Sequence, residues 1–313
     1  MSVYTEVGRD ELVAFLQDYA VGDLVSYQGI SDGIENTNYF VTTDQGEFVL
    51  TLFEHHSFDE LAYFLDVMTF FYQHDIPSAH PAADKEGQYL KELCGKPAAL
   101  VLRLSGRGVD AVATIEQCQV IGDVLGKMHL VGKEFKPKRV TQRGHDWRQN
   151  SANKLLPLLD NESAELLKNE LVFQAQYAKL DLPFGMTHSD LFRDNALFDG
   201  NELQGIIDFY YACDEYLLYD LAVAVNDWCI DENGLIEHKR YQALMQAYLL
   251  HRGLTEAEQE FWNLVLRAAA LRFWISRLLD KHFPREGELT QIKDPDAFLK
   301  ILKQHQGNED KLK

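Results

Sequence analysis

Apolar residues come in short runs over 22–30, 34–43 and 46–53, which read as three β-strands, with Thr43-Asp44-Gln45-Gly46 as the turn joining the last two. Residues 9–19 ahead of them read as a short amphipathic helix. The spacing then changes. Phe58, Leu61, Leu65, Met68 and Tyr72 recur at helical intervals over 57–75, with Ser57 available as the cap. Pro77 and Pro81 interrupt the chain after this helix, and a hairpin over 84–93 leads into an apolar strand at 98–104. Gly106 and Gly108 are expected to make a flexible crossing to residue 114. Beyond it helical periodicity dominates. A helix at 114–131 carries Ile115, Ile121, Leu125 and Met128 with His129 at its end. A last long helix at 256–282 carries Phe261, Val265, Ala268, Ile275 and Leu279, with Arg272 in phase. The pattern predicts an α+β chain in two lobes. Residues 1–105 form an antiparallel β-sheet lobe with one main helix, and 106–313 form a larger, mostly helical lobe. The tail from Gln306 is expected to fray.

Composition narrows the class. A chain of 313 residues, 46% apolar, can bury two good cores. Its longest apolar runs fall far short of the roughly 20 residues of a membrane span. The N-terminal Met-Ser-Val-Tyr-Thr-Glu lacks the basic-then-apolar order of a secretory signal. Cys94, Cys118, Cys213 and Cys229 form no C-x-x-C pair and read as reduced thiols of a cytoplasmic protein. A formal charge of −19 repels nucleic-acid backbones. No spacing suggests a zinc site or a Ser-His-Asp set, and nothing assigns an oligomeric state.

Three stretches of the second half carry chemistry. Residues 188–195 read His-Ser-Asp-Leu-Phe-Arg-Asp-Asn. After a short hairpin over 196–204, with the turn Asp199-Gly200-Asn201, residues 205–209 read Gly-Ile-Ile-Asp-Phe. Asp220 follows Leu218-Tyr219. Phosphoryl transfer needs positioning and charge neutralisation, and this order supplies both. Asp190 can accept a hydrogen bond from a substrate hydroxyl and take its proton. Asn195, five residues on, offers a neutral hard oxygen to Mg²⁺, and Asp208 a carboxylate. His188 is expected to hold the catalytic loop, Arg193 to meet a phosphate or pair with Asp194, and Asp220 to anchor the loop backbone. The alternative is a capped turn in which Asp190 and Asn195 bond only their own backbone.

The nucleotide side is less marked. Gly29-Ile30-Ser31-Asp32-Gly33 can bring backbone N–H groups over phosphates, or can be a hairpin with structural glycines. In the third strand, Phe48-Val49-Leu50-Thr51-Leu52-Phe53-Glu54, Thr51 stands where a phosphate-pairing lysine is expected, and Glu60 would be that lysine's partner or a solvated charge. With so acidic a chain, ATP then depends on Mg²⁺ and another cation, with Arg103, Arg107 and Lys85 as candidates. Adenine is expected near 102–106.

The chain resembles the aminoglycoside phosphotransferase-like superfamily and, more closely, the homoserine kinases of that type. The resemblance rests on Gly33-Ile34-Glu35-Asn36-Thr37-Asn38-Tyr39-Phe40-Val41, the lysine-less third strand, His188–Asn195, Gly205-Ile206-Ile207-Asp208-Phe209-Tyr210-Tyr211-Ala212-Cys213, Tyr219-Asp220-Leu221-Ala222 and Asn226-Asp227-Trp228-Cys229. It implies a two-lobed protein-kinase-like fold and transfer from ATP to L-homoserine on the route to threonine, with Mg²⁺. For that substrate, Tyr210, Tyr211, Asp214, Asp227 and Trp228 are candidates for the ammonium. Arg272, costly on an apolar stripe unless paired, either clamps the carboxylate or pairs with a buried acid such as Asp220. Arg267 and Arg277 are expected to be solvated. Asn36 and Asn38 face the cleft or an edge, and His55-His56 lie at the surface. Kinases of choline, aminoglycosides or hydroxylysine are the alternatives within the superfamily. A catalytically silent nucleotide-binding regulator is the alternative outside it.

Overall fold

In the computed structural model, which describes residues 5–30, 36–284 and 293–307, the chain divides into two units. The first comprises the described residues up to Ser105 together with Gly205–Tyr210. The second comprises Gly106–Gln204 and the described residues from Tyr211 on.

The first unit opens with α1 (Arg9–Leu16), followed by β1 (Leu24–Gly29), β2 (Thr37–Thr43), β3 (Glu47–Leu52), α2 (Phe58–Gln73), β4 (Lys91–Leu93) and β5 (Lys96–Leu102). The strands form one antiparallel sheet in the order β1-β2-β3-β5-β4. Alternation does its expected work in β2, where Thr37, Tyr39, Val41 and Thr43 are buried and the residues between them are not. Tyr39, Val41, Leu50, Leu52 and Leu100 meet Leu12, Phe15 and Leu16 of α1 in one core. The Thr43–Gly46 turn is closed by the Thr43 hydroxyl, which accepts from the N–H groups of Gln45 and Gly46. On α2 the buried face is Leu61, Phe64, Leu65, Met68 and Phe71, whereas Phe58 and Tyr72, both expected in the stripe, are exposed. Tyr72 instead stacks flat on His80, with ring centroids 4.1 Å apart. Glu60 completes a capping box with Ser57, so its charge serves the helix end. The 205–210 segment joins this unit through Ile206, which exchanges backbone hydrogen bonds with Pro77 and Ala79, and through Phe209, whose ring lies 5.6 Å from that of Phe71.

The second unit contains α3 (Ile115–Val131), α4 (His145–Leu155), α5 (Asn161–Phe173), β6 (Phe184–Thr187), β7 (Ala196–Asp199), the start of β8 (Glu202–Ile206), β9 (Cys213–Tyr216), α6 (Leu217–Trp228), α7 (His238–Leu249), α8 (Glu256–Glu260), α9 (Trp262–His282) and α10 (Asp296–Gly307). Every residue of α6 is buried, as befits a helix apolar on all sides. The expected helix over 256–282 is broken at Phe261, which has φ −93° and ψ 7° and caps α9. Ile115, expected in the core, is exposed. The crossing after Gly106 is tied down: Arg107 and Phe198 exchange backbone hydrogen bonds at 2.8 and 3.1 Å, and Val109 donates to Arg193. Gly106 has φ 83°, and a Cβ there would fall 2.9 Å from the Phe198 carbonyl oxygen, so glycine serves close approach. Arg267, expected to be solvated, pairs with the fully buried Glu170 at 2.5 Å and covers the ring of Phe173. All four cysteines are free thiols. Among the described residues, no helix is long and apolar enough to cross a membrane.

Gly122 sets the contact of α3 with α7, since a Cβ there would lie 2.1 Å from the Leu244 carbonyl oxygen. Gly122→Ala should therefore destabilise the protein by about 1–3 kcal/mol despite alanine's better helix propensity. The measurement is a urea midpoint at fixed m-value, and an unchanged midpoint would show that the helices separate freely.

Candidate active site

β6 runs directly into residues 188–195, and β7 carries the chain away. Because β6 and β9 pair antiparallel with Thr187 opposite Cys213, the first turn of α6 lies beside the start of that loop. Asp220, in that turn and fully buried, accepts the N–H of His188 at 2.8 Å and of Ser189 at 2.7 Å, one on each oxygen. Ser189 has φ 62°. A non-glycine residue held there costs about 1–3 kcal/mol and persists only when its surroundings over-determine it. The double grip by Asp220, with the Ser189 hydroxyl 2.8 Å from that of Thr187, supplies the determination.

Burial alone would push the Asp220 carboxyl up. Hydrogen bonds from His129 and the loop backbone outweigh it and hold the group below the usual carboxylate range. His129 Nε2 lies 3.1 Å from Asp220, and its Nδ1 lies 2.7 Å from the Tyr248 hydroxyl, to which Arg252 donates at 2.9 Å. Arginine has only donors, so the Tyr248 hydroxyl accepts from Arg252. Asp220, held ionised, can only accept, so His129 presents an N–H from Nε2 to it. Arg252 is held in turn by buried Glu258.

Within the loop, the Nδ1 of buried His188 accepts the N–H of Asp190 at 3.3 Å, so His188 braces the backbone. The Asn195 amide nitrogen donates to the Asp190 carbonyl at 2.8 Å and to its carboxylate at 3.2 Å. That orientation turns the amide oxygen of Asn195 away from Asp190. Arg272 Nη1 reaches the other Asp190 oxygen at 3.3 Å. The pairing of Arg272 is thus with Asp190 and not with Asp220. Burial pushes the Asp190 carboxyl up and Arg272 pulls it down, with burial the larger effect. A carboxylate so raised, fixed from two sides and still 14% exposed, is suited to take a proton.

Several expectations change. Arg193 pairs with Asp227 and not with Asp194: its Nε lies 3.2 Å from that carboxylate, and its backbone N–H adds a bond at 2.8 Å. Asp227 is committed to this brace, which removes it as an ammonium ligand, while Asp194 pairs with Lys293 at 2.5 Å. Trp228 is fully buried, with its indole N–H on the Leu191 carbonyl, and presents no surface to a substrate. Asp214 is bonded to Lys138 and to the Arg139 N–H. The Tyr211 ring lies 5.1 Å from the Arg272 guanidinium.

Asp208 and Tyr210 belong to the first unit. Asp208, like Ser189, holds a left-handed backbone, with φ 62°. Tyr210 packs edge-on against Phe53 and Phe64 beside His56, which is half-buried in this aromatic cluster, while His55 is exposed. Its hydroxyl bonds Thr51, and burial together with the Asp208 charge pushes it well up. Thr51 also donates to Asn38 at 2.8 Å, so a hydroxyl network fills the position where a lysine is expected. Arg103 is engaged with Glu47 and the face of Phe40, and Lys85 with the Gln17 carbonyl. Gly29 ends β1, and Ser31 and Gly33 lie outside the described residues.

Arg148 escaped the sequence reading, as did the depth of the His129 chain. Its signal was available: Arg148 is in phase with Ser151, Ala152 and Leu155, the buried stripe of α4.

A family model described as the phosphotransferase enzyme family matches residues 26–261. The chain is similar to the homoserine kinase of Methylobacillus flagellatus, 48% identical over 97% of this chain and 95% of that protein. It is also similar to the homoserine kinase of Methylobacillus glycogenes, 45% identical over the same shares. Among solved structures, an amicoumacin kinase in complex with AMP-PNP, Ca²⁺ and Ami has a TM-score of 0.71 at 15% identity, covering 96% of this chain and 93% of that one. The likeness shows a kinase-like fold, with the antiparallel N-terminal sheet and helical C-terminal part expected from the sequence.

If Asp190 acts as its deprotonated form, kcat falls as pH drops through a pKa above the ordinary carboxylate value. Removing the Arg272 charge removes the effect that lowers this pKa, so in Arg272→Met the acid limb of the kcat profile should move to higher pH. A limb that stays in place would separate Arg272 from the titration of Asp190.

Proposed function

The chain belongs to the phosphotransferase enzyme family, and we propose that it transfers the γ-phosphoryl group of ATP to the hydroxyl of L-homoserine, releasing ADP and O-phospho-L-homoserine. The observation that carries the substrate is the nearly end-to-end similarity to homoserine kinases. The geometry around Asp190 supports the chemistry. A bond forms between the substrate oxygen and the γ-phosphorus while the bond to the β-bridging oxygen breaks, and the hydroxyl proton passes to Asp190. Asn195 and the Asp220 grip position that carboxylate. His188 and Arg193 keep the loop in shape.

Asn195 and Asp208 are the residues we assign to Mg²⁺. The Asn195 amide oxygen, turned away from Asp190, and the Asp208 carboxylate are donors of the hard type Mg²⁺ takes. Among the described residues no group of three or more His, Cys, Asp or Glu could hold a metal alone, which fits an ion completed by phosphate oxygens and water. Bound with ATP, Mg²⁺ would neutralise charge on those oxygens. The backbone around Gly29, Ser31 and Gly33, with Thr51 and Arg103, is assigned to the nucleotide. Free thiols and cytosolic ATP fit a cytoplasmic enzyme.

The test is ADP release with Mg-ATP and a panel of homoserine, choline, kanamycin and serine. Homoserine should be preferred. Preference for another alcohol overturns the substrate, and no turnover of any favours a silent regulator. Asp190→Asn should lower kcat by roughly 10²–10⁴. A change confined to KM would make Asp190 a binding residue.

A further inference from the structure

Arg148 is an anomaly of the second unit. It is only 4% exposed, and its Nη1 is buried without a hydrogen-bond partner among the described residues. Its guanidinium lies over the ring of Tyr177, 4.7 Å from the centroid. The neighbouring acid is Glu215, but one oxygen of that carboxylate already takes the Tyr216 N–H at 2.9 Å and the Tyr177 hydroxyl at 3.3 Å. A guanidinium nitrogen withdrawn from water without an acceptor is costly, and an anion from outside the chain would relieve it.

The surroundings point the same way. The Tyr219 hydroxyl lies in the field of two guanidiniums, Arg272 first and Arg148 second. Arg272 reaches Asp190 with one nitrogen at 3.3 Å and lies against Tyr211. Arg143, stacked on Trp147, faces the same Tyr211 ring at 5.7 Å. Arg272 and Arg143 thus share the Tyr211 ring next to the candidate base, and Arg148 adds its field to that of Arg272 at Tyr219, in a chain of net charge −19. Such a local reversal of sign concentrates an anionic group there. In extended homoserine the carboxylate lies about 5 Å from the hydroxyl, so a hydroxyl held at Asp190 carries the carboxylate toward these side chains.

We infer that Arg148 and Tyr219, with Arg272, form the subsite that holds the carboxylate of the amino-acid substrate and selects it over amino alcohols lacking that group. The inference rests on the reading that homoserine is the acceptor. Arg148 supplies its unpartnered donor, Arg272 its donors not used by Asp190, and the Tyr219 hydroxyl a neutral donor. Arg272 thereby links recognition of the carboxylate to placement of the base.

The experiment compares kcat/KM for L-homoserine with that for 3-amino-1-propanol, which keeps the hydroxyl and ammonium but has hydrogen in place of the carboxylate. Wild-type protein should prefer homoserine strongly. In Arg148→Met that preference should fall by about 30-fold or more, with the loss in KM for homoserine. In Tyr219→Phe it should fall by about 5- to 10-fold. An unchanged preference in folded Arg148→Met overturns the inference and leaves Arg148 as a counter-charge to Glu215, which a lowered Tm would accompany. If Arg148→Met does not fold by circular dichroism, Tyr219→Phe decides, and an unchanged preference there overturns the inference equally. Failure of the wild-type protein to turn over homoserine at all is a different result, and it removes the underlying substrate reading.

Discussion

The two hydrogen bonds from the backbone of His188 and Ser189 to Asp220 are the constraint on which the candidate site depends. Asp190 follows immediately after a residue with φ 62°, so its direction is set by a conformation the chain would not adopt unaided. Removing the Asp220 carboxylate would leave two buried N–H groups without an acceptor and the left-handed turn without support. The grip is itself supported from behind. The linked side chains of Arg252, Tyr248, His129 and Asp220 anchor the loop to α7 and the start of α8. The depressed titration of Asp220 is the electrostatic expression of this arrangement. Both oxygens of Asp220 are engaged, and the residue with chemical work to do is the one left partly exposed.

Charge is placed with similar economy. The protein is strongly acidic, yet the buried guanidiniums of Arg148 and Arg272 both lie in the second unit, where Arg272 contacts the base. A buried ion pair contributes little net stability, so Arg272 is poorly explained as a structural element. Its effect on Asp190 is more informative. It tempers the upward pull of burial, keeping the carboxylate deprotonated over a wider range while leaving it more basic than a solvated one. In the first unit, the position where a lysine was expected is a closed network of Thr51, Asn38 and Tyr210. A lysine at 51 would have to displace a buried hydroxyl and its partners, which accounts physically for the neutral residue.

Much of the fold was legible in the sequence because two periods, about 2 and 3.6 residues, are imposed by backbone geometry. In the first unit β1, β2, β3 and β5 begin and end within three residues of their expected limits, whereas the hairpin expected over 84–93 holds only β4, which pairs with β5, and the turn residues at 43–46 and 199–201 join the strands they were assigned to. Errors arose where residue type was allowed to stand for environment. Phe58 and Tyr72 fit the stripe of α2 but overhang its ends. Phe261 continues the apolar phase of α9 and yet has left the helix. Asp227 and Trp228 suggested an acidic aromatic cleft. They sit in a helix whose apolar residues run all round it, which is the mark of a buried element, and the core claimed them. Partner choice was the least legible feature. Sequence separates Arg193 from Asp227 by 34 residues and Arg272 from Asp190 by 82, so only the folded chain could pair them.

These placements separate the shared chemistry from the particular substrate. The loop 188–195 and its anchor act only on a hydroxyl and its proton, groups that every alcohol substrate carries. Nothing in Asp190, Asn195 or Asp220 can tell an amino acid from an amino alcohol, because none of them meets the part of the substrate that differs. Discrimination has to come from side chains displaced from the loop by about the length of the substrate, carried on elements the loop does not constrain. Arg148 comes from α4, and Arg272, which touches Asp190, comes from α9. They come from separate helices, so Arg148 can change with the substrate while Arg272 ties the subsite to the loop through Asp190. A fold that keeps its proton acceptor on a strained, over-determined turn and its selectivity on independent helix faces can serve many acceptors with one chemistry.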